Sequence, residues 1–185
     1  MNMNRREALK SVVLMMGGTM VGATAILTGC APENQIEGLN FSPDDIAFLD
    51  ELGDTIIPET DTPGAKAAGI GAFMVMMVKD TYDEAQQKAF VDGLNMIRKD
   101  FKASKGADFM GASAEDRLAY LNELYEQYKS SPQREPQVIN MLRDLTVLGY
   151  FTSEIGATQA LNYVEVPGRY DGCIDLKPGD KAYAI

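Results

Sequence analysis

The chain has 185 residues, 17 of them basic and 27 acidic, for a formal net charge of −10, which argues against wrapping nucleic acid or a basic contact with anionic lipid. It contains no histidine and only two cysteines, Cys30 and Cys173. Histidine-dependent nucleophiles, most zinc sites and histidine-ligated haem are thereby excluded.

The first segment reads as a targeting signal and is set apart from the fold. Arg5 and Arg6, followed by Ala8, Leu9 and Lys10, resemble the twin-arginine signal of proteins exported after folding. A general secretion signal is the alternative, because Ala8 stands where phenylalanine is often found. Ser11 to Ile26 carries no charge and is shorter than the about 20 apolar residues that span a bilayer. Leu27, Thr28 and Gly29 then lead into Cys30 in the pattern of lipoprotein processing. The expectation is a signal peptide over residues 1–29 and acyl chains on Cys30, which suffice for stable attachment without a transmembrane helix. Ala31-Pro32 offers no inner-membrane retention signal, so an outer-membrane lipoprotein facing the periplasm is expected.

Cleavage before Cys30 leaves 156 of the 185 residues, enough for one core. With Arg5, Arg6, Lys10 and Glu7 removed, 14 basic residues stand against 26 acidic ones, a net charge of −12 before lipidation. Residues 30–40, with proline, glycine and polar side chains, form a tether. The domain is expected over 41–185.

Ser42, Pro43 and Asp45 open the first helix as cap, first-turn proline and capping-box partner. Ile46, Leu49, Leu52 and Ile56 give it one apolar face. Pro58 closes it, and Glu59 to Gly69 forms a loop with a turn at Thr62-Pro63-Gly64. The short helix after Gly69 is apolar from Phe73 to Val78, with Phe73 and Met77 sharing a face. Its methionines suit packing in the core or at a subunit interface better than copper binding, since no histidine or cysteine accompanies them.

A further helix near Glu84 to Phe101 carries the stripe Phe90, Leu94, Ile97 and Phe101. Lys102 to Gly111 reads as a connection. Ser113 and Asp116 cap the next helix, whose stripe is Leu118, Leu121, Leu124, Tyr125 and Tyr128, and Ser130 to Pro136 interrupts. Val138, Met141, Leu142, Leu145 and Leu148 begin a last apolar element. Gly149 and Thr152-Ser153 weaken or bend it, and Ile155, Ala160, Leu161 and Tyr163 allow it to resume. The order predicts an all-α, single irregular helical domain of about five helices. Pro167-Gly168 and Pro178-Gly179 punctuate an extended, turn-rich C-terminal tail.

No arrangement of residues points to chemistry carried by this chain. Asp54, Glu59 and Asp61 cluster around a loop, where capping, solvation or partner contact outweighs catalysis or metal binding. Lipidation consumes Cys30, so no internal disulfide is expected. Burial is the leading reading for Cys173, ahead of pairing with another subunit or reactivity beside Arg169 and Asp171.

Two blocks carry a resemblance. One runs from Asp54-Thr55-Ile56-Ile57-Pro58-Glu59 through Thr60-Asp61-Thr62-Pro63-Gly64 to Gly69. The other runs from Leu145 through Gly149-Tyr150-Phe151 to Gly156, continuing through Tyr163, Pro167-Gly168 and Arg169-Tyr170-Asp171-Gly172-Cys173. Together they resemble the gluconate 2-dehydrogenase subunit 3 family over nearly all of the mature domain. That resemblance implies a noncatalytic small subunit with no cofactor of its own. Its partner would be a large FAD-containing dehydrogenase of the glucose-methanol-choline type, acting on a sugar or polyol, with haem in an accompanying cytochrome c subunit. The small subunit would help the large one assemble, mature or cross the inner membrane. Asp54, Pro58, Asp61 and Pro63 in the loop, and Tyr163, Pro167, Tyr170 and Cys173 in the tail, are the expected partner contacts. The alternative is a lipid-anchored periplasmic binding or scaffolding protein without a dehydrogenase partner.

Overall fold

The computed structural model describes residues 39–130, 138–168, 173, 175 and 177–184. The signal segment with Arg5 and Arg6, lipidation-candidate Cys30, the interruption at 131–137 and Tyr170 lie outside them. The described residues form an all-α body of five α-helices: α1 Pro43–Ile56, α2 Ile70–Thr81, α3 Glu84–Lys105, α4 Ala114–Ser130 and α5 Val138–Thr152. Helix α5 packs against all four others. No helix among the described residues is long and apolar enough to cross a membrane.

Three helices start on side chains next to them in sequence. The Ser42 hydroxyl accepts the Asp45 N–H at 3.2 Å, and the Asp45 carboxylate accepts the Ser42 N–H at 2.9 Å, completing the expected capping box of α1. Asp83 and Gln86 do the same for α3 at 2.8 and 3.2 Å. Ser113 accepts the Asp116 N–H at 3.1 Å ahead of α4. Helix α3 runs past Phe101 to Lys105, beyond the expected start of the connection at Lys102. Lys, Ala and Ser sustain a helix, and the stop comes at Gly106, whose φ of 70° only glycine adopts without strain.

Helix α2 has no side-chain cap within its own segment. Asp50 of α1 accepts the Gly71 N–H at 2.6 Å near its first turn, while the buried Gln87 of α3 donates to the carbonyls of Val78 and Lys79 at 3.0 and 3.2 Å. Other helices thus satisfy polar groups at both ends that α2 would leave unpaired by itself. Its buried face is Ile70, Met74 and Val78, one helical turn apart, with Phe73 and Met77 half-buried alongside.

The α3 stripe of Phe90, Leu94, Ile97 and Phe101 is buried as the spacing predicts. Phe101 meets Phe109 and Tyr120 edge-on, with centroids 4.9 and 5.2 Å apart. Helix α4 departs from its predicted stripe at one residue: Leu121 is buried and Leu124, Tyr125 and Tyr128 pack against the core, joined by Tyr120, whereas Leu118 is 48 % exposed. Burial, with Asp100 and Glu123 nearby, pushes the Tyr120 phenol up to about 12.

The last element also differs from expectation. Helix α5 stops at Thr152, a π turn spans Gly156–Ala160, and Asn162–Tyr163 is extended, paired in parallel with Tyr183–Ala184. Ser153 supplies the reason. Its hydroxyl donates to the Tyr150 carbonyl at 2.7 Å and accepts the Gly156 N–H at 3.0 Å, replacing part of the helical ladder with a side-chain turn. Cys173 is exposed, not buried, because it sits in the turn-rich tail with no helical face to enter.

Asp45 joins the cap to the bundle. It accepts from Arg98 Nη2 at 2.6 Å, and the Arg98 guanidinium lies 4.3 Å from the centre of the Phe48 ring. Burial alone would raise the carboxyl pKa; hydrogen bonds from Ser42 and the Arg98 charge outweigh it and hold the group below 3.8. A lowered carboxyl contributes stability that is present above its unfolded value and lost as pH falls through its folded one. Asp45→Ala is therefore expected to cost about 1 kcal/mol at pH 7, chiefly through the cap, since Arg98 is partly solvated. Urea midpoints measured from pH 7 down to pH 3 check it: the gap between variant and parent should narrow below pH 4.

Candidate functional site

The loop after α1 is closed by its own backbone. The Ala65 N–H donates to the Ile57 carbonyl at 2.9 Å, and the Thr60 N–H to the Thr62 carbonyl at 3.0 Å. Asp54, the last acidic residue of α1, turns Oδ1 toward the Lys66 N–H at 3.3 Å, at the start of the short 3-10 turn Lys66–Ala68. The chain must approach itself closely here. A Cβ on Gly64 would lie 2.5 Å from Asp54 Oδ1 and 2.7 Å from the Glu59 backbone nitrogen, so only glycine fits without displacing the backbone.

Glu51 sits beneath the loop as an electrostatic junction. It pairs with Lys66 at 2.7 Å and with Arg117 of α4, and the Glu51 and Arg117 side chains are each 13 % exposed. Arg117 also donates to the Met110 carbonyl at 3.1 Å and lies over the Phe109 ring at 5.5 Å from its centre. Desolvation lowers the Arg117 pKa from its usual value, the sign of a guanidinium partly withdrawn from water.

One contact joins the two sequence blocks. The Tyr150 hydroxyl of α5 donates to the Pro63 carbonyl at 2.7 Å across 87 residues of chain, and Tyr150 is 2 % exposed. The neighbouring Gly149 lets α5 approach α2, since a Cβ there would lie 2.5 Å from the Phe73 ring. Opposite these inward residues, Val147, Leu148 and Phe151 are exposed.

Of the predicted contacts, Pro58 and Asp61 are exposed on the loop, while Asp54 and Pro63 are half-buried and spent on the internal bonds just described. Tyr163, Pro167 and Cys173 are exposed in the tail. Among the described residues no hydrogen bond joins the tail to the loop. Thr158, Leu161, Asn162, Asp180, Lys181 and Tyr183 line an open depression of about 590 Å³ in the tail. A smaller one of about 150 Å³ between α1, α4 and α5 lies below the usual range for small-molecule sites. Among the described residues no cluster of three or more His, Cys, Asp or Glu could hold a metal ion. Glu51, Arg117 and the outer face of α5 were not among the predicted site residues. For the last a signal existed, since Val147, Leu148 and Phe151 make α5 apolar on the side away from Leu142, Leu145 and Tyr150.

Residues 43–168 match the family described as Gluconate 2-dehydrogenase subunit 3. The chain belongs to that family. The subunit 3 match takes in all five helices, the closed loop and the Tyr150–Pro63 contact, and it stops before Tyr170 and Cys173, which the resemblance had included. No curated protein and no solved structure matches the chain.

Proposed function

We propose that this chain is the noncatalytic small subunit of a periplasmic FAD-dependent sugar or polyol dehydrogenase, and that it supports assembly, maturation or export of the large flavoprotein. The observation that carries the reading is the subunit 3 family match across the entire helical body. The closed loop and its tie to α5 add support, because a rigid, internally satisfied surface suits protein docking better than turnover. On this reading FAD belongs to the large glucose-methanol-choline-type subunit and any haem to a cytochrome c subunit.

The signal segment fits the same picture. A twin-arginine route at Arg5 and Arg6 would carry a flavoprotein already loaded with cofactor, escorted by the subunit that bears the signal. Lipid on Cys30 would then hold the complex at a membrane, where two or more acyl chains suffice.

Co-expressing the large flavoprotein with and without this chain tests the proposal. Omission is expected to lower periplasmic, flavin-loaded, active dehydrogenase at least about tenfold, the scale of losing one obligatory association. Cys30→Ser is expected to move the complex from the membrane to the soluble fraction. Unchanged flavin loading, export and activity on omission would refute the accessory role.

A further inference from the structure

We infer, on the reading above that Cys30 carries lipid, that Leu39 and Phe41 moor the domain with the start of α1 and the α2–α3 corner toward the bilayer and the closed loop away from it.

The sequence placed Leu39 in the tether, yet it is 2 % exposed and belongs to the core, and Phe41 is half-buried with its ring centre 6.3 Å from that of Phe90. The domain therefore starts before the Ser42 cap. As the chain runs on, its partners advance along α3: Phe41 meets Phe90, Asp45 pairs with Arg98, and Phe48 meets Phe109, which in turn meets Phe101. The entering segment and α1 thus run the same way along α3. The α2–α3 corner at Tyr82-Asp83 precedes α3 and lies at the mooring end, while the loop after Ile56 lies at the other. Taken along the helices, from Phe90 to Arg98 on α3 and from Asp45 to Ile56 on α1, about 28 Å separates the mooring from the loop.

Leu39 is nine positions after Cys30. Drawn straight, those residues reach at most about 32 Å. Turning the loop to the bilayer would use nearly all of that reach along the side of the domain and remove most of the conformational freedom of the tether. Holding the mooring end at the bilayer needs no such extension. Charge offers no competing preference. Asp80, Asp83 and Glu84 are exposed at the corner and Glu59 and Asp61 on the loop, within a chain of net charge −10, so neither end is drawn to anionic lipid. The length of the tether sets the orientation, and it leaves the loop, with its tie from Pro63 to Tyr150, open to the compartment.

The lipidated full chain, added to preformed phosphatidylethanolamine–phosphatidylglycerol vesicles, provides the test. In a Cys173→Ser background, Glu84→Cys at the mooring end and Glu59→Cys on the loop, both at exposed positions, each take a thiol-reactive donor dye, and energy transfer is read to acceptor-labelled headgroups. Transfer from position 84 is expected to exceed that from position 59 at least about twofold, given about 28 Å between the two ends. Inserting about twenty Gly and Ser residues between Ala31 and Pro32 extends the reach to about 100 Å and should bring the two signals within about 20 % of each other. Thermal unfolding checks each labelled chain, and Lys88→Cys or Asp61→Cys replaces a variant that fails to fold.

Parent chain that floats with the vesicles but transfers equally from both positions, or more from position 59, overturns the mooring and leaves lipid on Cys30 standing. A difference that persists in the lengthened chain assigns the orientation to adsorption of the domain itself and overturns the part given to the tether. Parent chain that does not float with the vesicles removes both the lipid and the orientation drawn from it.

Discussion

Tyr150→Ala is expected to destabilise the helical body by about 3–5 kcal/mol, the cost of deleting a buried aromatic ring from a packed core. Tyr150→Phe is expected to cost only about 1 kcal/mol, because the ring remains and the loss is one hydrogen bond. The difference separates packing from the tie to the loop. Tyr150 is 2 % exposed, meets Phe151 edge-on at 5.2 Å, and reaches Pro63 through its hydroxyl at 2.7 Å. Urea unfolding gives both numbers, and hydrogen exchange at the Ala65 and Lys66 amides reports the loop directly. Phenylalanine there should speed exchange at those amides by more than its shift of the global midpoint accounts for. Equal exchange in parent and phenylalanine variant would mean that the hydroxyl does not hold the loop.

Glu51→Ala is the second large effect, expected at about 2–4 kcal/mol. The carboxylate serves two cations, Lys66 and Arg117, and only Lys66 is free to return to water: its side chain is 55 % exposed against 13 % for Arg117. Removing Glu51 therefore strands a guanidinium whose desolvation is already expressed in its lowered pKa. Lys66→Ala breaks the other arm and should cost at most about 1 kcal/mol, since exposed pairs contribute little. Glu51→Leu combined with Arg117→Leu should recover most of the loss, because an apolar pair leaves no uncompensated charge. A double variant no more stable than Glu51→Ala would place the deficit in packing around Phe109 instead.

Much of the local structure was legible along the chain. The caps of α1, α3 and α4 are residues three apart whose side chains bond neighbouring amides, so Ser42 with Asp45 and Ser113 with Asp116 declared helix starts before any tertiary contact was known. The α3 stripe was legible for the same kind of reason, since four apolar residues at helical spacing share one face wherever that helix lies. Leu118 was misplaced because hydrophobicity marks what can be buried without saying how much facing surface the neighbouring helices supply. Cys173 was misplaced likewise: a preference for burial acts only where a core is within reach.

The site divides along the same line. Both family blocks stood in the sequence, but their convergence did not, because a hydrogen bond between Tyr150 and Pro63 spans 87 residues and depends on how α1, α2 and α5 pack. The ends of α2 are satisfied by Asp50 and Gln87, side chains of other helices that no local pattern singles out. By itself the sequence determined helix starts, the turn-rich loop and tail, the absence of histidine chemistry and the family resemblance, all set by residues within a few positions of one another or by composition. Tertiary structure alone decided which apolar faces were covered, which carboxylate held the half-buried Arg117, and that α5 would be occupied on one side and open on the other. Those outcomes depend on the match between surfaces of distant segments, and periodicity within one segment carries no information about its partner.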